Sequence, residues 1–343
     1  MSPLARRRWA NFKANRRGYV SLWIFLAIFT VTLFAELLAN DRPIVLIHQD
    51  EWYFPVLIGY SEADLGGELP LPADFRDPYV LGLIGDAWAL WPPIPFSYDS
   101  IDYAIGEPAP APPSRRHWLG TDDVAKDTLA RLIYGFRLSV VFGILLTLAS
   151  SAIGIAVGAL QGYFGGMTDL VGQRIVEVWQ GLPILFLLII LASIVEPGFG
   201  WLLLLLVAFG WMALVGVVRA EFLRARNLDF VRAARALGVS DLVIMRRHVL
   251  PNAMVAALTF LPFLLNGSIT TLTALDFLGF GLPPGAPSLG ELLRQGQANL
   301  QAPWLGLSGF LTLAVMLTLL IFVGEAVRDA FDPRRALVRT GHD

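Results

Sequence analysis

Charged side chains leave six long gaps in this chain, at residues 18–35, 138–168, 178–195, 197–218, 249–275 and 295–324. Each gap reaches about the 18 residues that a helix needs to cross the hydrocarbon of a bilayer. A soluble helix keeps a polar face, and these runs have none. The pattern therefore predicts an all-α polytopic membrane protein with six transmembrane helices. The longer runs include flanking loop, so each predicted span is shorter than its run. The first run follows a basic start, as a signal peptide would. It is longer than a signal core and lacks a clean small-residue cleavage site, so it is expected to be retained as a span.

Two segments interrupt the spans. Residues 41–136 form a large extracytoplasmic insert between the first and second helices. Its acids, Asp50, Glu51, Glu62, Asp64, Glu68, Asp74 and Asp77 among them, outnumber its bases. Residues 107–113 (Glu-Pro-Ala-Pro-Ala-Pro-Pro) read as a polyproline II spacer. Trp52, Tyr53, Phe54, Tyr60, Trp88, Trp91 and Tyr98 are too many aromatics for a disordered tether. Residues 45–47 and 52–57 are predicted short strands. Near the end of the insert, Thr121 or Asp122 can cap a helix whose Leu129, Leu132, Ile133 and Phe136 form an apolar stripe. That helix is expected to lie along the membrane interface. The insert either caps the membrane helices or docks a partner protein.

The second interruption, residues 219–252, is short and rich in arginine. Phe230, Ala233, Ala234 and Leu237 fall at i, i+3, i+4 and i+7 and are expected to share one shallow helix face. Gly238 suits the left-handed residue that ends a helix. Ser240 can cap a second helix, running through Arg246, Arg247 and His248 towards Leu250 and Pro251. A helix–glycine–helix elbow on the membrane face is a docking element.

Two further patterns sit within the spans. Ser150, Gly154, Gly158, Gly162 and Gly166 recur every four residues, a stripe that lets another helix approach closely. Packing within the chain is expected, with a seam to a second subunit as the alternative. After the fifth run, Leu275-Asp276-Phe277-Leu278-Gly279-Phe280-Gly281 and Pro287-Ser288-Leu289-Gly290 break the helix. An acid facing lipid there is costly, so Asp276 either faces a substrate pathway, with a peptide amino-terminus as a partner, or is a structural hydrogen-bonding group or an exposed loop carboxylate.

Composition agrees with the pattern: of 343 residues, 55% are hydrophobic and 16% charged, and the mean hydropathy is +0.60. Arg6, Arg7, Arg8, Lys13, Arg16 and Arg17 precede the first span, and Arg328, Arg334, Arg335 and Arg339 follow the last. With the arginines of 219–252, they predict that both termini and that loop are cytoplasmic. The expected organisation is a basic N-terminus with the first helix (1–40), the insert (41–136), a five-helix core (137–328) and a tail (329–343).

Lys13 and Lys126 are the only lysines and neither follows glycine, so no phosphate-binding Gly-Lys-Ser/Thr loop exists. There is no cysteine, and His48, His117, His248 and His342 are scattered. No metal, cofactor, catalytic or nucleic-acid site is expected. Arg174 and Glu177, Glu221 and Arg224, and Glu325 and Arg328 stand at i, i+3 and are expected to be structural pairs. An ion-coupled secondary transporter is the rival class. It would show inverted repeats and mid-span ionisable groups, and the sequence shows neither.

The elbow resembles the Glu-Ala-Ala loop of bacterial ABC importer permeases, here Arg232-Ala233-Ala234, Gly238 and Leu250-Pro251, with Arg232 standing where the family has Glu. Residues 118–139 and 275–293 are similar to segments of the dipeptide, oligopeptide and nickel branch. Ala125-Lys126 replaces its usual Gly-Arg, Asp276 stands where Ser is common, and Leu289 where Trp is common. The resemblance implies a type I ABC importer permease of the bacterial inner membrane, forming half of a translocation pathway for oligopeptides. It implies a heterodimer with a second homologous permease, separate ABC ATPase subunits and a periplasmic peptide-binding protein. Phe230, Arg232, Ala233, Ala234, Leu237, Gly238, His248, Leu250 and Pro251 would seat in the ATPase, with Arg232 facing an acidic group or none. Nickel or another small solute is the alternative cargo. No His or Cys lines a span, which disfavours direct metal contact.

Overall fold

The computed structural model describes residues 3–192, 194–195 and 198–332. Arg334, Arg335 and Arg339 of the expected tail lie outside the described residues. The chain opens with α1 (Pro3–Ala14) and α2 (Arg16–Leu33), followed by the short α3 (Ala35–Leu38). Asn15 divides the first two by accepting the Gly18 N–H at 3.2 Å, an N-cap on α2.

The insert folds around a small core of its own. Strands β1 (Val45–His48) and β2 (Glu51–Tyr53) are joined, after α4 (Pro78–Ile84), by β3 (Trp88–Leu90). The sheet order is β2-β1-β3, antiparallel, with Ile47 opposite both Trp52 and Trp88. One face buries Leu46 against Leu65, Phe75, Val80 and Ile84, and the row of Trp52 and Trp88 is exposed. β2 stops well short of residue 57 because Pro55 has no N–H for a ladder and the chain turns at Phe54, whose carbonyl accepts Leu57 N–H at 2.9 Å. Asp77 caps α4 by accepting Tyr79 N–H at 2.7 Å, with Pro78 in the first turn.

The separate interfacial helix expected before the second span does not form. Asp127, rather than Thr121 or Asp122, is the cap, accepting Ala130 N–H at 2.8 Å. One continuous helix, α5 (Thr128–Phe164), then runs 37 residues. The stripe chosen for the interface meets protein instead. Leu132 and Phe136 join the core with Phe25, Ile269 and Met316. Leu129 and Ile133 pack beside Ala35 and Phe96, the latter from the insert.

The third span is broken. Helices α6 (Gly166–Gln180) and α7 (Ile184–Ala192) meet at a 65° bend across the segment holding Gly181 and Pro183. Helix α6 begins well before the charge gap at 178, and within it the Arg219 guanidinium pairs with Asp169 through two bonds of 2.5 and 2.7 Å. Then follow α8 (Phe199–Gly210), α9 (Met212–Ala225), α10 (Asp229–Ala236), α11 (Asp241–Val243), α12 (Leu250–Phe277), α13 (Leu289–Ala298) and α14 (Pro303–Phe331). Among the described residues, five helical stretches are long and apolar enough to cross a membrane, and six when the bent pair is one span. The six-helix expectation and this architecture agree.

The glycine stripe of α5 seats α9 within the chain. A Cβ at Gly158 would lie 2.7 Å from the Val215 carbonyl oxygen, and one at Gly162 would lie 2.5 Å from that of Arg219. Only hydrogen at these positions lets the two backbones touch. Arg174–Glu177 and Glu221–Arg224 form the expected ion pairs at 2.6 and 2.5 Å. Glu325 and Arg328 form none among the described residues.

Candidate docking elbow and pathway site

The elbow is built on α10. Val231 and Ala234 turn inward and pack with Val218, Phe222, Ile244, Met245 and Val249. Phe230 and Leu237 point outward, 43% and 83% exposed, alongside Arg232 and Ala233. Ala234 is thus an internal contact rather than part of the outward face. The cause is Val231, which sits a third of a turn from Phe230 and draws its side of the helix into the core. Leu250 is internal too, packed against the same cluster. Arg232 forms no ion pair among the described residues.

The turn at the tip has the expected hand. Gly238 has φ +76°. Gly238 N–H bonds the Arg235 carbonyl at 3.0 Å, and Val239 N–H bonds that of Ala234 at 3.1 Å. Those two bonds are a Schellman motif, which satisfies the last carbonyls of α10. The second limb differs from expectation. Ser240 precedes it without a side-chain cap bond. The limb does not end at Pro251, but passes through a π turn at Ile244–Val249 into α12, with Pro251 in its first turn. The wider turn accommodates a proline that cannot donate. His248 is half-buried, and its carbonyl accepts Asn252 Nδ2–H at 3.1 Å.

A polar tie joins the elbow to the end of α5. The Tyr163 hydroxyl donates to Asp241 Oδ1 at 2.5 Å and accepts from Arg235 at 3.0 Å. Arg235 stands 3.6 Å from Asp241. This tie spans elements too far apart in sequence for any local period to show.

Asp276 lies in the last turn of α12. It is buried, accepting the Ser288 hydroxyl at 2.5 Å and Leu282 N–H at 2.7 Å. Ser288 in turn caps α13, accepting Gly290 N–H at 3.1 Å and Glu291 N–H at 3.3 Å. The carboxylate fastens the turn that opens at Gly279, φ +80°. These are structural hydrogen bonds of the kind expected of an acid at this break in the helix.

The insert meets α5 through buried charge that the sequence reading missed. Arg131 pairs with Asp122, both side chains almost wholly enclosed. His117 lies between Asp127 (Nδ1–Oδ2 2.8 Å) and Asp102 (Nε2–Oδ2 3.0 Å), and Arg116 reaches Asp102 at 3.0 Å. Burial pushes the His117 pKa down, but hydrogen bonds to Asp127 and Asp102 outweigh it and hold the ring above its ordinary value. Burial likewise raises Asp102, yet the Ala104 N–H, His117 and Arg116 bring it below the usual carboxylate value. Nearer the membrane helices, Arg137 grips Glu36 with two bonds of 2.8 Å. Among the described residues no group of three or more His, Cys, Asp or Glu is placed to hold a metal.

A bundle of apolar helices with a buried-backed elbow is the arrangement of an ABC importer permease, and comparison with known proteins gives the family. Residues 132–337, more than half of the chain, match the family of binding-protein-dependent transport system inner membrane components, and the chain belongs to it. Residues 2–51 match the N-terminal transmembrane domain of oligopeptide transport permease C. The chain is 61% identical to the inner membrane ABC transporter permease protein YejE of Escherichia coli K12, over 98% of this chain and 99% of that one. It is 53% identical to the peptidoglycan transport system permease protein YejE of Agrobacterium fabrum, over 97% and 94% of the two chains. It is 36% identical to the oligopeptide transport system permease protein OppC of Mycobacterium tuberculosis, over 76% of this chain and 90% of that one. The inward-facing MetNI methionine ABC transporter aligns with 59% of this chain and 97% of its own at 17% identity and a TM-score of 0.49. The chain is therefore a non-catalytic permease subunit of the inner membrane, in a family that works with separate ATPase and substrate-binding partners.

Proposed function

We propose that this chain forms half of the translocation pathway of an ATP-driven oligopeptide importer. A second, homologous permease forms the other half, and the elbow at residues 229–251 seats in an ABC ATPase subunit. The observation that carries the reading is the two-sided build of α10. Val231 and Ala234 fix it to the core while Phe230 and Leu237, with Arg232, which has no ion pair among the described residues, are offered outward. Exposed apolar groups on a rigid backing are what a buried interface needs. The basic clusters support termini and elbow in the cytoplasm and the insert outside, facing a peptide-binding protein. Nucleotide-driven closure of the ATPases would swing the elbow, through the Tyr163–Asp241–Arg235 tie, against α5.

Peptide cargo is favoured by the OppC relative's name, and the Agrobacterium relative is named for peptidoglycan transport. Nothing among these relatives favours nickel or ion coupling. The test is purification of the tagged chain in mild detergent and reconstitution of what co-elutes. Expected are a homologous permease, an ATPase and ATP-dependent uptake of labelled oligopeptide. A lone chain that moves solute on an ion gradient without ATP would overturn the reading.

A further inference from the structure

A cavity of about 390 Å³ lies among α5, α7, α8, α9 and α12, and its polar side chains are hydroxyls alone. Thr147, Ser150 and Ser151 come from α5, and Ser268 and Thr271 from α12. The remaining walls are aliphatic, aromatic or glycine, and no charged side chain reaches in. Thr147 and Ser268 bond each other at 3.1 Å across the cavity wall. Ser150 and Ser151, only 7% and 6% exposed, have hydroxyl oxygens with no hydrogen-bond partner. Gly210 makes room for one of them, since a Cβ there would lie 2.6 Å from Ser150 Oγ.

Two enclosed hydroxyls without partners are expensive in an apolar bundle, at about 1–3 kcal/mol each by mutational scales. Packing does not require them, for alanine would fill the same backbone path. The cavity's rim on α12 is small and partly polar. Gly267 and Thr271, one turn apart on α12, are exposed there and offer neither bulk nor hydrophobicity.

We infer that this cavity is a pathway subsite for the main-chain amides of an extended peptide. The inference rests on the peptide-permease reading. A hydroxyl both donates and accepts, so it can meet an amide N–H or C=O in turn. Every peptide repeats those groups whatever its side chains, and a lining without charge does not select among acidic, basic and neutral residues. The cavity is of the size that holds small ligands, about 300–1,000 Å³.

The absence of cysteine makes the test direct. In the reconstituted complex, Ser151→Cys gives this chain a single thiol, to be probed with a charged, water-soluble methanethiosulfonate and read on this chain's mass. The expected result is modification that saturating oligopeptide slows severalfold. At the outward-facing α5 position, Leu148→Cys should show no effect of peptide. A second measurement uses peptides with N-methylated amides and unchanged side chains. The unsubstituted complex should take them up less well than the parent peptide, and Ser150→Ala with Ser151→Ala should narrow that preference. If the thiol at 151 is unreactive, or reacts without regard to peptide, while peptide uptake is normal, the subsite is wrong and the permease reading survives. If the unsubstituted complex takes up no peptide, the reading beneath the inference fails as well.

Discussion

The two ends of α5 are held in opposite ways. At the insert end, Arg131 is enclosed with Asp122 and His117 with Asp102 and Asp127, so each charge has a partner inside protein. At the elbow end, Tyr163 is buried but the Arg235 and Asp241 side chains it holds are about half exposed, and Arg232 has no ionic partner among the described residues. A buried pair is heavily penalised when one member is removed, so it fixes geometry. Exposed pairs contribute about 0–1 kcal/mol, so they can be exchanged for a partner's groups at little loss. One end of the long helix is pinned to the insert, and the other is kept ready for another protein.

The sharpest way to break this contrast is Arg131→Leu, which strands Asp122 as an enclosed charge. Loss of a buried partner typically costs about 3–5 kcal/mol, so the thermal midpoint in detergent should drop further than for any elbow variant. Fluorescence from the chain's 10 tryptophans would follow it. An unchanged midpoint would remove the pinned end. His117→Gln should cost about 2 kcal/mol, the scale of hydrogen bonds to charged groups, and should alter the pH profile. The raised His117 pKa gives stability that is fully present below about 6.5 and lost as pH rises through the folded-state value. The lowered Asp102 pKa gives stability present above about 3.8 and lost as pH falls through its folded value. The insert should therefore resist proteolysis best in mild acid, and His117→Gln should abolish the alkaline decline. The same decline in both proteins would mean that the ring is neutral.

The spans were legible because lipid excludes charge, and that exclusion needs no partner to be read. Gly238 was legible because few other residues tolerate the left-handed turn. The start of α6 was not, since the helix carries Asp169, Arg174 and Glu177, and the partner of Asp169 is Arg219, 50 positions away. Asp122 and Arg131 stand at a separation that matches neither helix nor strand period, so the buried pair was invisible. The apolar stripe of α10 was seen but wrongly oriented at Ala234, because periodicity locates a face and not what covers it. The hydrogen bonds of Asp276 were not legible, because Ser288 and Leu282 reach it only through the turn.

At the elbow the expected effects on stability are smaller and those on coupling larger. Gly238→Val must place a β-branched residue at φ +76°, a strain of about 1–2 kcal/mol, whereas Gly238→Asn should be tolerated better because asparagine visits this region. Equal thermal midpoints for the two would argue against a turn of fixed hand.

Phe230→Asp should have the least effect on the fold and the clearest effect on assembly. The ring is partly exposed and lies outside the cluster that Val231 and Ala234 share with α9 and the π turn, so a polar side chain there stays solvated. Surface substitutions of that kind usually fall within about 0.5 kcal/mol. In an interface the same carboxylate would be desolvated without a partner, and the ATPase should no longer co-elute with the tagged chain while the second permease still does. If the ATPase remains bound and peptide uptake is normal, the exposed end of the contrast is merely solvated surface. If Arg131→Leu loses the fold and Phe230→Asp loses only the ATPase, the two ends of α5 divide the work of holding and of coupling between them.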